Sequence, residues 1–297
     1  MKTDKNTVIG FVLLAVLFFV YFWYTSKQQN EIAAYKQRFD DSVAMVKANA
    51  EKAAALNTVQ LIDSTKKDAT GLAVVADTLK EQIAILENDL IKVEFTNKGG
   101  QVARVTLKKY TNSKKELVQL GDSSSLSYAV NAGNNQTVQI NQVIFPVSNV
   151  STDQNGGQKI EYAWTAPNGK TIKHQFTLSK GKYNVDWNIV MDGADQLLTN
   201  NQLNVLWDAH SYGQEKTTTY ERQMSNICFS EGNEFDYISS NTNKVFEKPV
   251  QWVGLVQQFF TTTVLYKDGF NSGKIDWQRK TDSSNGLATL QAQFQTK

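Results

Sequence analysis

From Asn6 to Ser26 the chain carries no charge for 21 residues, with its apolar heart at Val8 to Tyr24. A helix rises 1.5 Å per residue, so about 20 apolar residues cross a hydrocarbon layer of ~30 Å. Lipid offers no hydrogen bonds, and a helix satisfies its backbone internally. The pattern therefore predicts a transmembrane anchor over 6–26. Tyr21, Trp23 and Tyr24 gather at its C-terminal end, where amphipathic rings favour the headgroup region. The run exceeds the apolar core of a signal peptide, about 7–15 residues. Thr25, Ser26, Lys27 and Gln28 follow it without a small-x-small cleavage site. An uncleaved anchor is the expectation.

The texture changes after the anchor. Ile32, Tyr35, Phe39, Val43, Val46 and Ala50 recur at steps of three or four, one stripe on a helix. The stripe then fades into a polar stretch. Residues 27–89 read as a solvated helix followed by a flexible tether. A partner-binding coiled coil would need at least three or four sustained heptads, and the stripe covers barely three.

From Leu90 onward the period becomes two. Ile91, Val93 and Phe95 alternate with Lys92 and Glu94; Asn97-Lys98-Gly99-Gly100 then signals a turn, and Ala103, Val105 and Leu107 alternate on the return. This is a hairpin pattern. Ile172, His174, Phe176 and Leu178 share one parity. After the turn Ser179-Lys180-Gly181-Lys182, so do Tyr183, Val185, Trp187, Ile189 and Met191. Further strands are predicted at 116–120, 125–130, 136–147, 158–165, 202–209 and 259–266. Asn155-Gly156-Gly157 reads as a hairpin tip. Val250 to Phe260 fits either a helical turn or a strand. Many short strands joined by Gly and Asn turns predict a mainly β, antiparallel sandwich over 90–297.

Composition removes several functions. Thirty-one basic and 29 acidic residues leave a net charge of +2, and no block of basic residues follows Leu90. That argues against nucleic acid as a partner and gives poor prospects for a membrane-surface patch. Cys228 is the one cysteine, so no intrachain disulfide forms. One cysteine and two scattered histidines do not make a zinc site. No glycine-rich phosphate loop occurs, so no cofactor is expected. His174 sits on the apolar parity of a strand, which points to a satisfied structural histidine. His210 lies in Asp208-Ala209-His210-Ser211, but neighbours in sequence do not converge into a triad by adjacency. Trp164, Trp187 and Trp207 could stack on a sugar; in a sandwich such rings more often belong to the core. No catalytic, cofactor or metal residue is assigned, and the chain is not expected to be an enzyme.

Four segments carry a family resemblance. DKNTVIGFVLLAVLFFVYFWY, from Asp4, resembles the first transmembrane segment of the YidC membrane-protein insertase family, particularly its Bacteroidetes-type members. VEFTNKGGQVARVTLKKY (Val93 to Tyr110) is similar to that family's hairpin with paired glycines. NGKTIKHQFTLSKGKYNVDWNIV (Asn168 to Val190) resembles its Phe-x-Leu, Gly-x-Tyr strand pair. QWVGLVQQFFTTTVL (Gln251 to Leu265) is similar to its Trp-Val, Gln-Gln-Tyr-Phe stretch, with Phe259 in place of Tyr.

The resemblance implies a bacterial inner-membrane protein with a cytoplasmic N-terminus and a periplasmic β-supersandwich related to sugar mutarotases. Lys2 and Lys5 before the span, against Lys27, Lys36 and Arg38 after it, do not decide the orientation by themselves. Implied partners are the lipid bilayer, nascent membrane proteins and the Sec translocon. The family's insertase core is a further helical bundle with a hydrophilic groove. Lys297 comes before any second apolar span, so the chain is expected to be an N-terminal part cut inside the periplasmic domain, and no groove residue is carried over. Two other readings stay open: a membrane-anchored carbohydrate-binding or mutarotase-like sandwich, and a scaffold using the 27–89 helix for partners.

Overall fold

The computed structural model describes residues 80–297, apart from 134–135, 147–149 and 282–284, together with Leu14, Phe18 and Phe19 near the N-terminus. Those three positions are helical and exposed. The rest of the expected anchor, and the expected linker as far as residue 79, lie outside the described residues. Among the described residues no helix is long and apolar enough to cross a membrane. The chain divides into two compact units, Met1–Ala73 and Val74–Lys297.

The second unit is mainly β. It begins with β1 (Ile83–Glu87), ahead of residue 90, where period-two patterning first becomes legible in the sequence. Next come β2 (Ile91–Thr96), β3 (Gln101–Thr111) and β4 (Leu117–Leu120), paired in the order β1-β2-β3-β4. The β1–β2 reversal is held by Asn88, whose Oδ1 accepts the Leu90 and Ile91 N–H groups at 2.8 and 2.9 Å. Such Asx bonds replace backbone partners in tight turns. Strands β5 (Ser125–Gly133) and β6 (Gln136–Gln139) follow.

The expected strand over 136–147 is corrected here. It stops at Gln139 and gives way to a 3-10 turn at Ile140–Gln142. Ile140 is fully buried, and the turn swings it into the core. The strand-like pattern beyond the turn still pairs, but with the β2–β3 turn. Gly99 N–H donates to Val143 O at 2.7 Å and Phe145 N–H to Asn97 O at 2.9 Å.

A second sheet has the order β10-β9-β8-β7. Its strands are β7 (Ser151–Thr152), β8 (Gln158–Thr165), β9 (Thr171–Leu178) and β10 (Val185–Asp192). Residues 155–157 are the expected tip between β7 and β8. The short α1 (Ala194–Leu197) leads to β11 (Leu203–Tyr212), and α2 (Thr218–Met224) precedes β12 (Asn226–Glu231).

The remaining strands are β13 (Glu234–Ile238), β14 (Thr242–Val245), β15 (Val250–Gln257), β16 (Phe260–Phe270), β17 (Ser272–Arg279) and β18 (Gly286–Thr296). They complete a six-stranded sheet, β14-β17-β18-β11-β5-β6, and a four-stranded one, β13-β12-β15-β16. All named pairings are antiparallel. The ambiguous segment 250–260 is therefore a strand, with a two-residue turn at Gln258-Phe259.

Two cores result. The first joins β1–β6 to β8 and β9 through Leu86, Val93, Phe95, Tyr128, Tyr162 and Phe176. The second joins the six-stranded sheet to β12 and β15 through Trp207, Phe229, Val253, Trp277, Leu290 and Phe294. Trp187 and Leu203 pack against both. Trp207 is thus a core residue, as expected of a sandwich, and Trp164 and Trp187 are partly buried against the first core. Burial of apolar area at ~25 cal/mol per Å² is what drives such packing.

Candidate functional site

His174 is the histidine that the sequence put on a core parity. Strand β9 alternates buried and half-buried positions, and His174 falls on the buried side at 1% exposure. Its Nδ1 lies 2.7 Å from Gly100 O. A carbonyl only accepts, so Nδ1 carries the hydrogen. Nε2 is then an acceptor, and the Tyr128 hydroxyl, 2.6 Å away, donates to it. Desolvation by burial pushes the His174 pKa down to about 4, with bonds to the Gly100 and Gly99 backbone opposing the shift. Burial also raises the Tyr128 hydroxyl pKa. At neutral pH both side chains are uncharged, and each has a partner.

The surroundings are aromatic. Trp187 stacks on Phe176 at 5.9 Å, and the rings of Phe145 and Trp187 lie 5.1 and 5.3 Å from the imidazole. A general base needs a free lone pair within reach of a substrate proton. Here the lone pair is occupied and the ring is sealed in. The network acts as a tie between β9, β5 and the β2–β3 turn.

That turn is tied from its other side by Asn97, which is 1% exposed. Its Oδ1 accepts the Gln82 N–H at 2.7 Å, and its Nδ2 donates to Phe145 O at 3.1 Å. Gly99 and Gly100 follow with φ of 80° and 52°. A Cβ on Gly100 would meet the Tyr162 Cβ at 3.1 Å and the His174 Nδ1 at 3.2 Å. The second glycine is needed both for its backbone conformation and for the close approach of its carbonyl to His174.

His210 is placed differently. Its Nε2 is 3.4 Å from Asp208 Oδ1 on the same strand, and both side chains are partly exposed. Ser211 points to the opposite face, is buried, and donates its Oγ hydrogen to Ala288 O at 3.3 Å. No nucleophile–base–orienter set forms. A depression of about 260 Å³ beside His210 is bounded by Tyr212, Lys280 and Asn285. A larger one, about 400 Å³, lies on the polar face of β8–β10 between Lys159, Glu161, Gln175, Asp186 and Asn188. The Glu161 carboxyl is held below its usual range by a hydrogen bond from Gln175 and by Lys173. Neither depression brings together an acid, a base and a nucleophile. Among the described residues no cluster of His, Cys, Asp and Glu could hold a metal ion.

Residues 83–296 match the family model for the YidC periplasmic domain. The chain belongs to the YidC family. Among curated relatives it is 26% identical to the membrane protein insertase YidC of Bacteroides fragilis, over 99% of this chain and 48% of that protein. It is 28% identical to the YidC of Cytophaga hutchinsonii, over 90% of this chain and 43% of that one. The chain thus spans about half the length of the curated relatives it matches. A solved galactose mutarotase-like protein from Lactobacillus casei is similar at 9% identity and a TM-score of 0.44, over 72% of this chain and 87% of that one. No sugar chemistry follows from a likeness at that level.

Two of the motifs that resemble YidC sequences meet in one contact. The paired glycines supply Gly100 O, and the Phe-x-Leu strand supplies His174 two residues before Phe176. The parity of His174 was readable in sequence. Its partners, 74 and 46 residues away, were not, because neither Tyr128 nor a glycine carbonyl carries a signal of long-range pairing.

Proposed function

We propose that this chain is the anchor and periplasmic portion of a YidC-type insertase that assists insertion and folding of inner-membrane proteins. The match of 83–296 to the periplasmic-domain model carries the reading, and the names of the curated relatives support it. In this proposal residues 6–26 span the inner membrane with the N-terminus in the cytoplasm. Residues from 27 to the start of β1 form a tether, and the β-supersandwich stands in the periplasm. The partners are the bilayer, nascent membrane proteins and components of the Sec translocon. The portion is not an enzyme in this reading: its one core histidine is spent on structure, and the neighbour of the partly exposed His210, Ser211, faces the other way.

Residues 1–297 by themselves are expected not to insert membrane proteins. Insertion needs a surface that shelters polar groups inside the bilayer, and Val8 to Tyr24 hold no charged or strongly polar side chain. Only Gly10 and Ala15 are small residues that could bring helices close together. The measurement is complementation in cells depleted of their own insertase, with membrane integration of a dependent substrate as readout. Rescue by the full-length Bacteroides fragilis relative, without rescue by residues 1–297, is the expected pattern. Restoration by residues 1–297 alone would overturn it.

A further inference from the structure

One end of the β domain gathers exposed aromatic rings and lysines that are far apart in sequence. The β15–β16 turn places Phe259 at its tip, 67% exposed. Gln258 beside it has φ of 41°, a conformation that strains a non-glycine residue and tends to mark functional positions. Phe260 meets the Tyr110 ring edge-on at 5.9 Å. The Tyr110 side chain neighbours Tyr183, in the β9–β10 turn, and the two rings interact electrostatically. Both tyrosines are about half exposed, 48% and 50%.

The same end collects charge. The β3–β4 turn, with Lys114 and Lys115, docks on the 213–216 segment through Ser113 N–H and Gln214 O at 2.8 Å. Gln257, at the base of the Phe259 turn, donates to Tyr212 O at 3.4 Å. Lys109, Lys182 and Lys216 flank these contacts, and all five lysines are exposed. None of the five is in an ion pair among the described residues. The acidic side chains at this end are Asp89, Glu116 and Glu215, with Glu221 buried against the Gln214 and Glu215 N–H groups and Glu87 already paired to Lys108 at 2.9 Å. The balance is positive. The lysines of 109–115 are joined by Lys182 and Lys216, from two distant segments, only in the folded domain.

We propose that this end of the domain docks on an anionic lipid surface, with Phe259 inserting at the headgroup–acyl boundary, Tyr110 and Tyr183 lying at the headgroups, and the lysines facing lipid phosphates. Amphipathic rings partition to that boundary, and each lysine near an anionic leaflet strengthens attachment. A protein partner would be recognised by shape and buried apolar area. A single protruding ring with lysines around it suits a fluid, negatively charged plane better. The proposal rests on the reading of residues 6–26 as an anchor only for how often the surface is met.

The test uses the whole chain with Cys228→Ser and Phe259→Cys, carrying the fluorophore NBD on the new thiol. A parallel protein carries NBD at Pro167→Cys, an exposed site in the turn at the other end of β9. Both are reconstituted into neutral phosphatidylcholine vesicles and into vesicles containing phosphatidylglycerol. Co-flotation with both vesicle types reports the anchor. A blue shift at position 259 that appears only with anionic lipid, fades at high salt and is missing at position 167 reports docking. Lys114→Glu with Lys115→Glu should lower the docking equilibrium constant by at least about fivefold per lysine. Lys182→Glu is a second variant in a different turn, and far-UV circular dichroism checks that each stays β. Equal emission at position 259 in both lipids, or an equal shift at both sites, would overturn the proposal. So would protection of position 259 by an added protein partner and not by lipid. Loss of flotation with neutral vesicles, with the docking shift on anionic vesicles intact, would instead count against the anchor.

Discussion

Replacing His174 with phenylalanine is expected to lower the stability of the β domain by about 2–6 kcal/mol and to flatten its response to acid. Phenylalanine fills nearly the same space, so the loss comes from stranded polar groups. The Gly100 carbonyl loses its donor and the Tyr128 hydroxyl loses its acceptor, each at about 1–3 kcal/mol when buried. The acid response follows from the depressed pKa. In the unfolded chain the imidazole titrates near its usual value of about 6.5; in the folded domain it holds out to about 4. Above pH 6.5 neither state binds the proton and the stability is complete. As the pH falls from 6.5 towards 4 only the unfolded state is protonated, and about 3 kcal/mol is lost, at 1.36 kcal/mol per pH unit. Urea unfolding at pH 7 and pH 4.5, for the native and variant chains, measures both effects. An equal drop in the two proteins would show that His174 is not the source.

Gly100→Ala is expected to destabilise by about 2–5 kcal/mol. Forcing an L side chain into the left-handed region costs roughly 1–2 kcal/mol. The new methyl also falls 3.1–3.3 Å from Tyr162, His174 and Phe145, and overpacking adds about 1–3 kcal/mol. Gly169→Ala separates the two causes. Its φ is 79°, but a Cβ there meets nothing within 4 Å, so only the backbone cost of about 1–2 kcal/mol remains. Thermal or urea unfolding of both variants is the measurement. Equal losses would mean that the crowding at Gly100 relaxes freely.

These two residues mark the limit of what the sequence discloses. The parity of Ile172, His174, Phe176 and Leu178 and the paired glycines were legible as a strand and a turn, since period and backbone freedom are local properties. That the turn's carbonyl meets the strand's histidine is a property of the closed core. The same division explains the strands that went unread. β1 lies in an Ala- and Leu-rich stretch whose composition suits a helix, and it becomes a strand because β2 offers it an edge. β13 has four exposed residues, then one half-buried, so no inward parity announces it; it forms because Gly232 and Asn233, with φ of 60° and 67°, turn the chain back on β12. In β6 the pattern was right for four residues and then misled, because Ile140 is buried by a turn and not by a pleat. The lysine-and-aromatic end was illegible for a related reason: its residues, from 109 to 260, are adjacent only once turns far apart in the chain have closed.

The position of β18 has a consequence for how the domain assembles as the chain emerges. Gly286–Thr296 is an interior strand, paired to β11 on one side and β17 on the other. The first core is drawn from residues 86–197, whereas the second needs Leu290 and Phe294. A chain delivered N-terminus first can close the first half early, while β11 waits with one edge open until β18 arrives. During that interval Trp207 lacks its neighbouring strand, and resistance to protease should reach residues 86–197 before it reaches the rest. The order of synthesis, and not only the final packing, then decides which apolar faces stay bare longest.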